Sequence, residues 1–145
     1  MRTLPPNHPA SVLLVLLLSL VPAQAGEPVI VVHPESRIQS LTRDEVVNIF
    51  MGRQKRLPNG TVAMPVEQAQ PPALRARFYQ LLVGKDLPDI SAYWARLLYS
   101  GQAQPPQALS ADEVLEVVSE NRGAIGVLDA ARVDRRVRVV HSLTR

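Results

Sequence analysis

Glu67-Gln68-Ala69-Gln70-Pro71-Pro72 sets a carboxylate and two amides between two segments of different character. Val62 to Val66 reads as a strand and Ala73 to Val83 as a helix. A strand-to-helix junction suits an anion, because the first N–H groups of the helix point outward and its dipole favours negative charge. A bound oxyanion needs charge-assisted donors to offset its desolvation. The donors available are the Gln68 and Gln70 amides, the backbone N–H groups after Pro72, and Arg75 on the first helical turn. Ser40 and Thr42 belong to a second junction of the same kind and complete the candidate set. Glu67 opposes an anion, and neither Pro71 nor Pro72 has an N–H to give. Phosphate binding by these residues is therefore expected to be weak.

Other residue groups point away from catalysis. Asp44-Glu45 and Asp112-Glu113 are acidic pairs, but both fall in first helical turns, where capping and the dipole account for them. His33 and His141 sit at strand ends and lack a third ligand for a metal. Ser36, Ser40 and Ser142 carry no nucleophile motif. The reading is of a protein that is not an enzyme, with no metal and no cofactor. Trp94, with Tyr93 and Tyr99 at helical spacing, reads as core and rim, and an exposed Tyr93–Tyr99 rim would suit a protein partner.

The elements that must position these residues are legible in turn. Val29-Ile30-Val31-Val32-His33 is a β-branched run between Pro28 and Pro34, as a buried strand requires. Thr42-Arg43-Asp44-Glu45 has capping-box spacing, and Val46, Ile49 and Phe50 follow as the core face of a helix that Gly52 ends. Pro58-Asn59-Gly60 is a turn, which also explains the formal glycosylation triplet Asn59-Gly60-Thr61. Leu74, Phe78 and Leu81 line the next helix, which stops at Gly84. Asp86 to Tyr99 forms a third helix with Ile90, Trp94, Leu97 and Leu98 inward. Gln102 to Ala108 reads as a connector, and Ser110 to Glu113 repeats the capping-box spacing before a fourth helix that Gly123 closes. Two strands, Ala124 to Leu128 and Arg136 to His141, finish the chain. The order β-α-β-α-α-α-β-β predicts an α/β domain of two or three layers.

Met1 to Ala25 has the pattern of a signal peptide: Arg2, then an apolar run from Val12 to Val21, then Ala23-Gln24-Ala25 at the cleavage position. The run is too short to span a bilayer, which takes about 20 residues. Residues 26–145 form one soluble exported domain in this reading, with no stable membrane insertion after cleavage. There are no cysteines, so no disulfide can form. Without Arg2 the balance is 15 basic against 13 acidic residues. The cations are scattered among few aromatics, which argues against nucleic acid.

Three segments in order resemble a known family: Leu41-Thr-Arg-Asp-Glu-Val-Val-Asn-Ile-Phe-Met-Gly52, Pro58-Asn-Gly60 with Pro65-Val66, and Glu113-Val-Leu115 with Gly123-Ala-Ile-Gly-Val127. They look like the substrate-binding protein of bacterial phosphate ABC transporters. There a helix ending in Ile-Phe-x-Gly precedes the ligand loop, and a Pro-Gly-Ala-Ile-Gly-Tyr-Val strand follows a later helix; here Arg122 replaces the Pro and the Tyr is absent. That family has two lobes, and this chain has the length of one, like its short single-lobe members. The resemblance implies one lobe of a type 2 periplasmic-binding-protein fold, a mixed sheet of about four strands flanked by about four helices. The family's anion loop reads approximately Arg-x-x-Gly-Ser-Gly-Thr ahead of a helical Phe. With Phe78 setting the register, Gln68 stands where the Arg would be, and Pro72, Ala73 and Leu74 stand for Ser, Gly and Thr.

Two functions follow. The first is a periplasmic or secreted solute-binding-like protein of a bacterial transport system, with the usual anion ligands missing and phosphate or another small oxyanion bound weakly. The alternative is an interaction or scaffold module without a ligand, forming a homodimer or docking on an envelope partner.

Overall fold

The computed structural model describes residues 2–4 and 26–144; apart from residues 2–4, the expected signal peptide lies outside them. Five strands form one mixed sheet in the order β3-β2-β4-β1-β5. These are β1 (Pro28–Val32), β2 (Met64–Gln68), β3 (Gln107–Leu109), β4 (Ala124–Asp129) and β5 (Arg138–Ser142). β2, β3 and β4 run parallel, and β1 lies antiparallel between β4 and β5. Four helices complete the chain: α1 (Arg43–Phe50), α2 (Pro72–Val83), α3 (Leu87–Tyr99) and α4 (Ala111–Glu120).

Both faces of the sheet are covered, so the inner strands read as continuous apolar runs. All five residues of β1 are buried. Ile30, Val32, Ile125 and Val127 face one core with α1, α2 and α3, while Val29, Val31, Val66 and Leu128 face a second core with α4. Phe50 of α1 meets Phe78 of α2 edge to face, with ring centroids 5.3 Å apart. The domain thus has three layers, with three helices on one face and one on the other.

Thr42 caps α1 through the full reciprocal box, its Oγ1 accepting from Glu45 N while Glu45 Oε2 accepts from Thr42 N. Ser110 caps α4 by accepting from Glu113 N. Gly84 ends α2 in the left-handed region, at φ 65°.

Four expectations need correction. β3 lies in the expected connector; three residues beside Pro105-Pro106 carry no periodic signal, and the strand exists because β2 offers a parallel partner. The β2 ladder starts at Met64, because Val62 and Ala63 pair back across the Asn59-Gly60 turn with Arg56 and Lys55. On α2 the buried face is Leu74, Phe78, Tyr79 and Leu82, with Leu81 only half-buried. On α3 only Ile90 and Trp94 are buried, Leu97 is half-buried and Leu98 is exposed.

Gly126 shows why the Gly-Ala-Ile-Gly segment has its glycines. A Cβ there would stand 2.9 Å from Val114 Cγ1 and 3.1 Å from Val118 Cγ2, so α4 can seat on β4 only over a bare backbone. Gly126→Ala should lower the unfolding free energy by about 1–3 kcal/mol through overpacking. Urea titration would read this as a lower midpoint with an unchanged slope; an unshifted midpoint would refute the close-packing account.

Candidate functional site

The carboxyl ends of β2, β3 and β4 share one edge, where open α/β sheets place their ligands. α2 and α4 start there, and a crevice of about 500 Å³ opens among Gln68, Gln70, Ser110, Asp112, Asp129 and Arg132. Each group in it has local work. Gln68 Oε1 accepts from Asp129 N at 2.9 Å, and Gln68 Nε2 donates to Gln70 O at 2.6 Å. Ser110 Oγ is the α4 cap, Arg132 pairs with Asp112, and Asp129 Oδ1 accepts from Ala131 N. The crevice therefore holds two carboxylates and one guanidinium that is already paired.

Glu67 is the unexpected member. Strand alternation puts Val66 on the α4 face and Glu67 beneath the first two turns of α2, where it is 2% exposed. Arg75 and Tyr79 stand one turn apart on that helix and converge on the carboxylate. Arg75 Nε donates to Oε1 at 2.5 Å, and the Tyr79 hydroxyl donates to Oε2 at 2.7 Å. The Arg75 guanidinium also lies over the Tyr79 ring, 5.3 Å from its centroid. Burial lowers the Arg75 pKa, but the hydrogen bond and charge of Glu67 outweigh it and raise the pKa overall. Burial first, and then the Glu67 charge and hydrogen bond, push the Tyr79 hydroxyl well above its usual range. The pattern was present in the sequence as Arg75 and Tyr79 at i and i+4, facing a Glu at the end of a strand. The composition of the junction alone did not reveal it.

The other candidate residues lie apart. Arg43, next to Thr42, donates to the carbonyls of Leu81 and Leu82 at the C-terminal end of α2. Arg75 is on the first turn, six and seven residues before Leu81 and Leu82, about 10 Å along the axis. The structure does not bring Ser40 and Thr42 together with Gln68, Gln70 and Arg75. Ser40 is exposed, and Thr42 is committed to its cap. His33 accepts from Glu35 N through Nδ1, His141 contacts Leu41 O, and β1 places Ile30 rather than His33 opposite His141. Among the described residues no cluster of three or more His, Cys, Asp or Glu is arranged to hold a metal. Tyr93 is tied to Met51 O by its hydroxyl, so of the expected aromatic rim only Tyr99 is fully exposed.

Two outcomes follow from the buried triad. Arg75→Met leaves a buried carboxylate short of its cation and should cost about 3 kcal/mol in urea unfolding, the low end for a broken buried pair because Arg75 is partly exposed; Glu67→Gln in the same chain should restore part of the loss. The second concerns pH. The Tyr79 pKa is raised above its unfolded value of 10.0, so the native state keeps this proton longer. Its contribution is fully present below pH 10 and is lost as pH rises toward the folded-state value. Thermal midpoints should fall above pH 10, and the fall should be shallower in Tyr79→Phe.

No family model matches the chain, and no curated protein sequence matches it. Solved structures do. An ABC-type phosphate transport receptor from Vibrio cholerae superposes with a TM-score of 0.61 at 17% identity, covering 79% of this chain and 45% of its own. A candidate phosphate ABC transporter substrate-binding protein with bound phosphate, from Clostridium perfringens, gives 0.61 at 17%, covering 79% and 44%. A possible phosphate binding protein from Planctomyces limnophilus gives 0.57 at 15%, covering 81% and 42%. The chain thus has the fold found in phosphate-binding receptors and spans less than half the length of each. No helix among the described residues is long and apolar enough to cross a membrane.

Proposed function

We propose that the protein is exported through a leader at residues 1–25, and that residues 26–145 are a non-enzymatic docking module on a solute-binding scaffold. In this reading the strand-end crevice does not carry phosphate. The observation that carries it is the Glu67 carboxylate, which already occupies the Arg75 guanidinium and the Tyr79 phenol, while the other guanidinium of α2, on Arg77, lies 3.7 Å from Glu27. An incoming phosphate would have to displace a buried intramolecular anion and meet Asp112 and Asp129 nearby.

The N-terminus of α2 supports a second reading. It has no side-chain cap and no acidic residue in its first turn, which leaves room for weak oxyanion binding to backbone N–H groups.

Calorimetric titration with phosphate and with sulfate in low-salt buffer separates the two. The docking reading expects no saturable heat and no thermal shift at millimolar anion. Saturable heat that Arg75→Ala abolishes would overturn it and restore a solute carrier. In Glu67→Gln the guanidinium and phenol lose their anion, and phosphate heat should then rise above that of the natural chain.

A further inference from the structure

At the opposite end of the parallel strands, around the start of β2 and the C-terminal half of α3, lies a larger cleft of about 740 Å³. Its floor includes Ile49, Phe50 and Trp94. Large apolar side chains that are exposed elsewhere only singly gather here. Val62 is 60% exposed, Met64 39% and Leu98 50%, and all three line the cleft, while the adjoining Tyr99 is 97% exposed. An apolar patch of this kind on a folded surface marks an interaction site.

Lys55 is the one charged residue lining the cleft, and no Asp or Glu lines it. Every residue lining it comes from two stretches, 46–66 and 90–111. Those stretches contain no Asp or Glu, but they contain Arg53, Lys55, Arg56 and Arg96; Lys55 lines the cleft itself, while Arg53 and Arg96 line a separate pocket with Asp89. None of the ion pairs among the described residues involves these four cations. An apolar floor with an unpaired lysine beside it and no carboxylate in its lining is complementary to an apolar anchor flanked by an acidic residue.

We infer that this cleft docks an acidic segment of another polypeptide, which buries a leucine or phenylalanine against Trp94 and Leu98 and sets a carboxylate against Lys55. The inference rests on the docking reading above and names the surface that does it. Recognition runs through side chains rather than by strand addition. Met64 donates its N–H to Gly123 O, toward β4, so the next N–H along β2 would face outward, and Pro65 has none. A lipid surface is the poorer fit, since Val62, Met64 and Leu98 line a concavity that a flat bilayer does not fill.

The test is selection of a random-peptide phage library on the purified protein, followed by titration of synthetic enriched peptides against the fluorescence of Trp94, the single tryptophan. Enriched peptides should pair Leu or Phe with Asp or Glu. Their affinity should fall at least tenfold in Leu98→Asp, in Lys55→Glu, and when their carboxylates are exchanged for amides. It should be unchanged in Arg135→Glu, an exposed residue between Val133 and Val137 on the α4 side of the sheet. Leu98 and Lys55 are exposed, and an unchanged thermal midpoint confirms that the variants fold.

Peptides without acidic bias, or peptides indifferent to Leu98→Asp, would overturn the assignment. So would binding to phosphatidylglycerol vesicles with no peptide enriched. Peptides held at another face would retain the docking reading and remove the cleft, whereas phosphate heat in the calorimeter would sink the docking reading itself.

Discussion

A carboxylate lies under the first two turns of α2, shielded from water, and the surrounding structure answers to it. An unpaired charge at that depth would be prohibitive, so two donors must reach it at once. Arg75 and Tyr79, one turn apart on one helical face, meet that need over Glu67. This contact sets the rotation and register of α2 on the sheet. The position of α2 in turn places its last carbonyls where Arg43 of α1 collects them, and Phe78 where it packs against Phe50. One ionic contact at a strand end is thus propagated through α2 into the whole three-helix layer.

The same contact separates fold from function. Open α/β sheets place their ligands at the carboxyl ends of their parallel strands. Here that edge is polar, but its polarity is consumed internally: Gln68 bridges Asp129 and Gln70, Arg132 holds Asp112, and Arg75 holds Glu67. The opposite edge has the contrary character, with apolar side chains left in the open and a lysine left unpaired. The proposed docking reading rests on this asymmetry between the two edges.

Much of the fold was legible because local signals agreed with tertiary demand. The Thr42–Glu45 box, the apolar run of β1 and the left-handed Gly84 each state their role within a few residues. What was hidden depended on neighbours. β3 exists only because β2 lies beside it, and the exposure of Leu98 reflects a cleft that helical periodicity cannot show. The candidate site was legible by place and not by state. Its junction could be found from Glu67 to Pro72, but whether Arg75 faced solvent or a buried Glu67 required the third dimension, since residues eight apart in sequence meet only when a strand and a helix pack.

The position of β1 in the sheet carries a further consequence. The first strand of the domain pairs with nothing near it in sequence. Its partners are β4 and β5, about a hundred residues later, and Leu143 N reaches back to Pro28 O at the same edge. Contacts of such long range make folding slow, because a large loop must close before the reward arrives. The centre of the sheet cannot close until residues 124–142 are in place beside β1. The two ends of the domain then finish side by side, a geometry in which it can be spliced into a host loop as readily as stand alone.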